Sequence, residues 1–299
     1  MTVSMIIDTD PGVDDAVAVL LAVASPRVRL LALTTVFGNA SVDVTTANAL
    51  RLRALSGIDQ LPVAAGAARP LAYPRRPRAS RWHGTDGLAG RAELLPVPSG
   101  PISAHGAVPL MATLLRTAPA PVTLVAIGPL TNIALLLAVH PDLKPRIERI
   151  VAMGGDFSRS QAEFNVGSDP EAARRVLVEE DVPTTLVPLD LTRRAALDDT
   201  WLAELAAAGP RCAILASVIE AYRQQRQAPV ALHDSLAVLE AAVLGTVRTT
   251  SRCLDVVCDQ GPARGAIVSG ASGRPVQVAD DGDVASINAT ILNRLRRLG

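Results

Sequence analysis

The apolar residues of this chain fall into short continuous runs that alternate with longer runs of helical character. The short runs are apolar along their whole length, as in strands that a parallel sheet buries on both faces. They predict strands at Val3–Ile7, Val28–Thr35, Val122–Ile127, Ile150–Met153 and Thr184–Leu189. The longer runs predict helices at Asp14–Ala24, Val42–Ser56, Thr131–Val139, Pro170–Glu180 and Ser235–Leu244. This alternation is typical of βαβ units, so we expect a single large α/β domain over residues 1–299, with an open, mostly parallel sheet flanked by helices.

One stretch interrupts the alternation. Residues 57–101 are rich in Pro, Gly and Arg and contain the cluster Tyr73-Pro74-Arg75-Arg76-Pro77-Arg78. We interpret this stretch as an irregular loop insertion within the same domain, because strands and helices resume beyond it. Long irregular loops in compact domains are often functional. The pattern leaves open whether this one is a surface excursion or a binding loop beside the carboxyl edge of the sheet.

Composition and charge exclude several classes of protein. Apolar residues make up 49% of the 299 residues, which is enough for a large core and excludes disorder. The 29 basic and 29 acidic residues balance, and aromatic residues are only 2%, so we expect no nucleic-acid partner. The longest apolar run, Ala16–Ala24, is far shorter than the roughly 20 residues of a membrane span. With no signal-peptide pattern at the N-terminus, we expect a cytoplasmic protein that does not bind membranes.

The strongest chemical signal lies at the end of the first predicted strand. The run DTDPGVDD, from Asp8 to Asp15, places four carboxylates between a buried strand and an apolar helix. Capping of the helix N-terminus accounts for Asp14 or Asp15 but not for Asp8 and Asp10 as well. Crowded carboxylates repel one another unless a cation compensates them, and a hard cation such as Ca²⁺ or Mg²⁺ prefers oxygen ligands. The run therefore predicts a metal site.

Further polar clusters follow the later predicted strands or, in the case of His233-Asp234, open a late predicted helix. They are Phe37-Gly38-Asn39, Gly128-Pro129-Leu130-Thr131-Asn132, Gly154-Gly155-Asp156, Glu163-Phe164-Asn165 and His233-Asp234. Each cluster alone fits a turn or a helix cap. The carboxyl ends of parallel strands meet at one edge of a sheet, however, and ligands of open α/β sheets bind there. Together the clusters predict a site lined with carboxylates and amides, which suits a polyhydroxylated ligand beside a metal.

These residues together resemble a known family, the calcium-dependent nucleoside hydrolases (inosine–uridine nucleoside N-ribohydrolases). The segment Asp8–Ala16 is similar to that family's signature DTDPGxDDA. The match continues through Gly38-Asn39, His83-Gly84-Thr85-Asp86-Gly87-Leu88, Gly128–Asn132, Met153-Gly154-Gly155, Ala162–Asn165, Asp169–Ala173 and His233-Asp234. The resemblance implies a Rossmann-like fold and a homodimer or homotetramer. It also implies hydrolysis of ribonucleosides to free base and ribose, in the salvage of purines and pyrimidines.

The resemblance also assigns roles to individual residues. Ca²⁺ would be held by Asp10, Asp15, the main-chain carbonyl of Ile127 and Asp234. The ribose hydroxyls would be bound by Asp14, Asn39, Glu163 and Asn165, with Asp234 shared between sugar and metal. His83 would lie beside the base or the 5′ side of the sugar, and His233 would face the leaving base. The loop Asp156–Gln161 is shorter than in many members and lacks the Asn that binds the 5′-hydroxyl there, so 5′ recognition would differ in this chain.

The chemistry of the reaction gives the catalytic residues. Cleavage of an N-glycosidic bond builds positive charge on the ribose, which anionic groups stabilise. Asp10 is placed to act as general base on the attacking water, and His233 is the candidate acid for the leaving base. For His233 the alternative is a residue that only orients Asp234, and for His83 it is loop packing. Tyr222 and Arg226 share a helix face and are weaker candidates for contact with the base.

Two other functions stay open. The Asp8-Thr9-Asp10 sequence also fits the nucleophile motif of haloacid-dehalogenase-like phosphatases, with Asp156 as the later acid, although the expected basic residue is poorly matched by Lys144. The second is a calcium-dependent nucleoside-binding protein without turnover. The preference for purine or pyrimidine bases is not predicted.

Overall fold

The computed structural model describes residues 2–72, 83–98, 100–159, 161–270 and 273–299, so the Pro- and Arg-rich cluster at 73–78 lies outside the described residues. Within them, one sheet of nine strands runs through the molecule in the order β3-β2-β1-β4-β5-β6-β9-β7-β8. The strands are β1 (Val3–Thr9), β2 (Val28–Thr35), β3 (Val63–Ala65), β4 (Val122–Ala126), β5 (Ile147–Met153), β6 (Thr184–Val187), β7 (Arg248–Val256), β8 (Ile267–Ser269) and β9 (Pro275–Asp281). Strands β1 to β6 and β9 pair in parallel, whereas β7 is antiparallel to both β9 and β8.

Helices connect these strands. They are α1 (Val13–Ala24), α2 (Val42–Ser56), α3 (Ala107–Thr117), α4 (Thr131–Val139), α5 (Phe164–Ser168), α6 (Pro170–Arg174), α7 (Leu189–Thr192), α8 (Asp199–Ala206), α9 (Pro210–Arg226), α10 (His233–Ala242) and α11 (Val284–Leu295). Short 3₁₀ turns form at Ala92–Leu94, Pro141–Arg146 and Arg296–Leu298, and a π turn at Arg175–Glu179. In the part of the chain that the structure describes, no helix combines the length and apolarity that crossing a membrane requires.

The core consists of two apolar layers, one on each face of the sheet. Met5 and Ile7 of β1 face a layer built with α1, α2 and α8 to α11, whereas Ile6 between them faces a layer built with α3, α4 and α6. In the same way, Val125 of β4 faces the first layer and Leu124 the second. Since successive side chains of a strand point to opposite faces, burial on both faces explains why the strand runs are apolar throughout.

The predicted fold class is confirmed, and the predicted strands and helices are all present, several of them with shifted ends. Strand β5 begins at Ile147 instead of Ile150, and the helix predicted over Pro170–Glu180 divides into α6 and the π turn. Four strands escape the prediction, namely β3, β7, β8 and β9. Strand β3 is only three residues long and lies within the stretch interpreted as irregular, and the first half of β7, Arg248–Arg252, is exposed and polar. Neither segment carries the apolar run that a buried strand requires.

The strand order places β1 beside both β2 and β4, with Asp8 of β1 opposite Ala126 of β4. The chain proceeds outward from β1 in one direction through β2 and β3, and in the other through β4, β5 and β6. Such a reversal leaves a crevice outside the carboxyl ends of the two central strands, where ligands of open α/β sheets bind.

Candidate active site

A cavity of about 480 Å³ opens at this crevice. Its lining residues are Asp14, Asn39, His83, Ile127, Met153, Glu163, Phe164, Asn165, Leu189, Arg193, Ala196, Tyr222, Arg226, Pro229, Ala231, His233 and Asp234. Eight of the ten residues to which the resemblance assigns roles are among them, namely Asp14, Asn39, His83, Ile127, Glu163, Asn165, His233 and Asp234, and the weaker candidates Tyr222 and Arg226 line the cavity as well. The other two, Asp10 and Asp15, are fully buried and reach the wall through hydrogen bonds from Asn39.

Three carboxylates converge at the floor of the cavity, two of them in its lining, Asp14 and Asp234, and the third, Asp15, buried next to them. Asp14, Asp15 and Asp234 each place a carboxylate oxygen within 4.8 Å of the others. Asp15 is held from behind, since its Oδ1 accepts a hydrogen bond of 2.6 Å from Thr9 Oγ1 and its Oδ2 accepts one of 2.9 Å from the Gly12 amide. This trio differs from the ligand set implied by the resemblance, because it contains Asp14 where that set contains Asp10.

The electrostatics of this floor favour a bound cation. Burial raises the pKa of Asp234 well above its ordinary value, and nearby carboxylates, Asp14 and Asp15 first among them, raise it further. Burial and the charge of Asp15 raise the pKa of Asp14 to about 7, and burial raises the pKa of Asp15. Carboxylates held in this way are costly to ionise without a compensating charge. The donors are all oxygen atoms, so the floor fits a hard divalent cation.

Asp10 lies where two glycines leave room for its carboxylate. Its Oδ2 accepts a hydrogen bond of 2.6 Å from the Asn39 amide. A Cβ atom on Gly38 would lie 1.7 Å from that Oδ2, and one on Gly128 would lie 2.6 Å from Oδ1. The close approach of Gly38 and Gly128 therefore explains why glycine follows β2 and β4 at these two positions.

The wall formed by Glu163 and Asn165 is tied to the backbone. Glu163 is the N-cap of α5, and its carboxylate accepts hydrogen bonds from the amides of Asn165, Val166 and Gly155. The side-chain amide of Asn165 donates to the carbonyl of Ile127 at 3.0 Å. The predicted ribose-binding pair thus also fixes the carbonyl that the resemblance assigns to the metal. Both roles assigned by resemblance stay predictions.

A second wall carries aromatic and basic side chains. His83 Nδ1 accepts a hydrogen bond of 3.3 Å from the Val13 amide, and its ring stacks on Tyr222 with the centroids 4.9 Å apart. Arg226 donates to the Tyr222 hydroxyl at 2.7 Å, with its guanidinium 5.3 Å from the ring centroid. Burial lowers the pKa of His83 to about 3, and the charges of Arg226 and His233 lower it further. The imidazole of His83 is therefore neutral near pH 7.

His233 begins α10 and faces the cavity beside Asp234. Its Nδ1 lies 2.8 Å from the hydroxyl of Thr192, and the two share a hydrogen bond. Burial lowers the pKa of His233 to about 4, and the guanidinium charges of Arg226 and Arg193 contribute. A neutral imidazole must gain a proton before it can give one to a leaving base. The acid role of His233 stays a prediction, and Thr192 is the residue that orients its ring.

Sequence reasoning missed the contribution of the segment after β6. Thr192 contacts His233, and Leu189 and Arg193 line the cavity. The signal was present, because polar residues follow the strand predicted over Thr184–Leu189 as they follow its neighbours.

The position of Asp8 argues against the phosphatase alternative. Its side chain is 1% exposed, and its Oδ1 accepts hydrogen bonds of 2.6 Å from Thr34 and 2.8 Å from Asn132. Asp8 is also absent from the cavity lining. A nucleophile must reach its substrate, so a role for Asp8 in phosphoryl transfer is not favoured.

Comparison with known proteins agrees with this geometry. A sequence profile of the inosine-uridine preferring nucleoside hydrolases matches residues 5–291. The chain belongs to this family. This nucleoside hydrolase is therefore a hydrolase of N-glycosyl compounds, and its carboxylate trio is a group that can hold the metal of a metal-dependent family.

Relatives of this nucleoside hydrolase differ in the bases named in their descriptions. The chain is 40% identical over 295 residues to the non-specific ribonucleoside hydrolase RihC of Escherichia coli O1:K1 / APEC, with 95% of each chain covered. It is 46% identical over 211 residues to the pyrimidine-specific ribonucleoside hydrolase RihA of Shewanella woodyi, covering 69% of this chain and 66% of that one. The solved purine-preferring ribonucleoside hydrolase from Gardnerella vaginalis superposes with a TM-score of 0.91 at 25% identity, covering 99% of this chain and 98% of that one.

Proposed function

We propose that this cavity hydrolyses the N-glycosidic bond of ribonucleosides and releases free base and ribose. The observation that carries the proposal is the convergence of Asp14, Asp15 and Asp234 at the floor of the cavity. Loss of the base leaves positive charge on the ribose ring in the transition state. Fixed carboxylates stabilise that charge as it develops, and burial strengthens the effect because water is excluded.

We propose Ca²⁺ as the metal of this floor. Asp10, Asp15, Asp234 and the carbonyl of Ile127 would hold it, with Asp14 close enough to share the ion or the sugar. A divalent cation would lower the pKa of a water molecule and bind vicinal hydroxyls of the ribose. The support for a cation is the donor set itself, since these buried carboxylates raise one another's pKa.

The remaining roles fall to side chains around the sugar and the base. Asp10 accepts the proton of the attacking water, and its carboxylate is held ready by the Asn39 amide at 2.6 Å. Asp14, Asn39, Glu163 and Asn165 bind the ribose hydroxyls. His233 passes a proton to the leaving base, with Thr192 holding its ring in place. His83 and Tyr222 form the wall against which the base lies.

The test is release of reducing sugar from inosine, adenosine, uridine and cytidine, with and without a calcium chelator. We expect release that the chelator abolishes and added Ca²⁺ restores. Asp10→Ala should abolish turnover, and Asp15→Asn should weaken both turnover and calcium binding measured by calorimetry. Asp142→Asn is the matched control, because that carboxylate lies on the surface and pairs with Arg116. Near-normal rates for Asp10→Ala would contradict its role, and tight nucleoside binding without release would indicate a binding protein.

We further propose that the enzyme works in the cytoplasm as a homodimer or homotetramer and salvages purine or pyrimidine bases. Light scattering of the purified protein measures the assembly, and a monomer at micromolar concentration would contradict it. Cell fractionation followed by detection of the enzyme tests the location.

A further inference from the structure

A guanidinium lies in the wall of a cavity whose floor is acidic. Arg193 follows the last residue of α7 and lines the cavity, with 39% of its side chain exposed. The floor carries Asp14, Asp15 and Asp234, which suit a cation. The wall therefore presents a charge of the opposite sign to the same ligand.

Arg193 is held in place by a buried anion. It donates to Asp156 Oδ2 at 2.7 Å and to Ser158 Oγ at 3.4 Å. Asp156 has only 5% of its side chain exposed, and its Oδ1 accepts from both the amide and the hydroxyl of Ser158. Although burial acts to raise the pKa of Asp156, hydrogen bonds from Arg193 and Ser158 bring it below its ordinary value. A guanidinium fixed in this way loses little further freedom when it binds a ligand.

The donors of Arg193 exceed the acceptors that hold it. A guanidinium has five N–H donors in one plane, and its hydrogen bonds to Asp156 and Ser158 use two of them. A fork of this kind matches the oxygens of a phosphate or a carboxylate. Arg193 and Arg226 both line the cavity.

Asp156 lies 2.7 Å from Arg193 and balances most of its charge, so the pair has little effect on the reaction of a neutral substrate. A substrate that brings its own negative group gains a charge-assisted partner, because it pairs with the remaining donors of Arg193 while the sugar stays over the acidic floor.

We propose that Arg193 binds an oxyanion of the substrate, so that the preferred substrate is a ribonucleoside carrying a phosphate or a carboxylate. This inference rests on the proposed function of the same cavity. The oxyanion belongs either to a 5′-phosphate or to a carboxylate on the base, and in both cases Asp156 and Ser158 position the guanidinium that receives it.

Three substrates with one base framework separate these sources. Uridine is neutral, uridine 5′-monophosphate carries the phosphate, and orotidine carries a carboxylate on the base. The variants are Arg193→Gln, which removes the charge, and Arg193→Lys, which keeps the charge but not the fork. Arg194→Gln is the matched control, because this neighbouring arginine pairs with Asp281 and does not line the cavity.

We expect the wild-type kcat/KM for one anionic nucleoside to equal or exceed that for uridine. Arg193→Gln should lower that value about tenfold or more, as expected for loss of a charge-assisted pair, and should change the value for uridine by a clearly smaller factor. Arg193→Lys should keep part of the preference, and Arg194→Gln should leave all three values within twofold. A preference for uridine over both anionic nucleosides, or an equal effect of Arg193→Gln on all three, would overturn the inference.

Binding of the reaction products, measured by calorimetry, tests the inference independently of catalytic activity. Ribose 5-phosphate should bind more tightly than ribose, or orotate more tightly than uracil, and Arg193→Gln should remove the difference. Equal affinities in the wild-type protein would overturn the inference even if uridine is hydrolysed. Conversely, tight binding of an anionic product by a protein that hydrolyses none of the three nucleosides would support the oxyanion site and contradict the proposed catalysis.

Discussion

Replacing Gly38 with Ala should inactivate the enzyme by displacing the carboxylate of Asp10. The two residues are distant in the sequence but in contact in the fold. The new Cβ would lie 1.7 Å from Asp10 Oδ2, and real Cβ contacts are essentially never shorter than 3.0 Å. The carboxylate or the Gly38 backbone must therefore move by about 1.3 Å, and the neighbours of Asp10 limit where it can go. Gly128 closely approaches the other carboxylate oxygen, since a Cβ on Gly128 would lie 2.6 Å from Asp10 Oδ1. Little room therefore remains on that side.

A displacement of this size costs activity rather than only stability. A misplacement of about 1 Å in a catalytic group can lower the rate about 100-fold, so we expect kcat/KM for uridine and inosine to fall at least that far. The hydrogen bond from the Asn39 amide to Asp10 should also weaken, since its 2.6 Å geometry depends on the same backbone. Steady-state kinetics give the first quantity, and thermal unfolding followed by circular dichroism shows whether the fold persists.

The control is Gly106→Ala. Gly106 precedes α3 with φ −66°, and a Cβ there would meet only the Ala65 carbonyl at 3.4 Å, an ordinary contact. This variant should keep wild-type kinetics. If Gly38→Ala retained activity within threefold of wild type while folded, the close approach to Asp10 would not matter to catalysis, and the general-base role of Asp10 would lose its structural support.

Three further perturbations test the rest of the cavity. Tyr222→Phe removes the hydroxyl that accepts a hydrogen bond from Arg226 at 2.7 Å but keeps the ring stacked on His83. The free energy of unfolding, measured by denaturant titration, should fall by about 1 kcal/mol. An unchanged value would mean that the hydrogen bond does not stabilise the fold. Thr192→Val removes the hydrogen-bond partner of His233 Nδ1. It should lower kcat/KM for uridine more than for p-nitrophenyl riboside, because the leaving group of the second substrate needs no proton. Equal losses on both substrates would contradict the acid role of His233. Finally, 2′-deoxyuridine should be turned over at least about tenfold more slowly than uridine, because it lacks a hydroxyl for the floor to bind, and comparable rates would contradict binding of the 2′-hydroxyl.

The sequence predicts the centre of the sheet because burial there leaves a strong pattern. Val3–Ile7 and Val122–Ile127 are apolar on both faces, and the structure places them side by side as β1 and β4. At the margins burial is incomplete. The half of β7 over Arg248–Arg252 is exposed, and its polar sequence is typical of a loop, although it pairs with β9 along its length. A pattern of apolar residues cannot report a strand whose pairing is held by backbone hydrogen bonds alone.

The site was predictable to the extent that its residues lie directly after strands. Asp14 and Asn39 could be grouped from strand ends alone, and the cavity brings them together with Asp234, which lies in the first turn of α10. The membership of the trio was harder to predict, because Asp10 and Asp14 are both close in sequence to Asp15. The structure places Asp14 on the first turn of α1 and open to the cavity, while Asp10 turns toward Gly38. Which carboxylate turns inward depends on side-chain packing, which spacing along the chain does not encode.

The packing of Gly38 against Asp10 also explains why two separate motifs belong to one site. The DTDPG run ends β1 and the FGN run ends β2, and these strands are neighbours in the sheet with Thr9 opposite Thr35. Both strands end at the same level of the sheet. The backbone amide of Asn39 therefore donates to Asp10, and its side-chain amide donates to Asp15 Oδ2 at 3.0 Å. The first motif supplies the carboxylates, and the second supplies both the space and the donors that fix them. A change in either motif should therefore alter the position of the Asp10 carboxylate. In this sense Gly38 is part of the acidic floor although it carries no side chain.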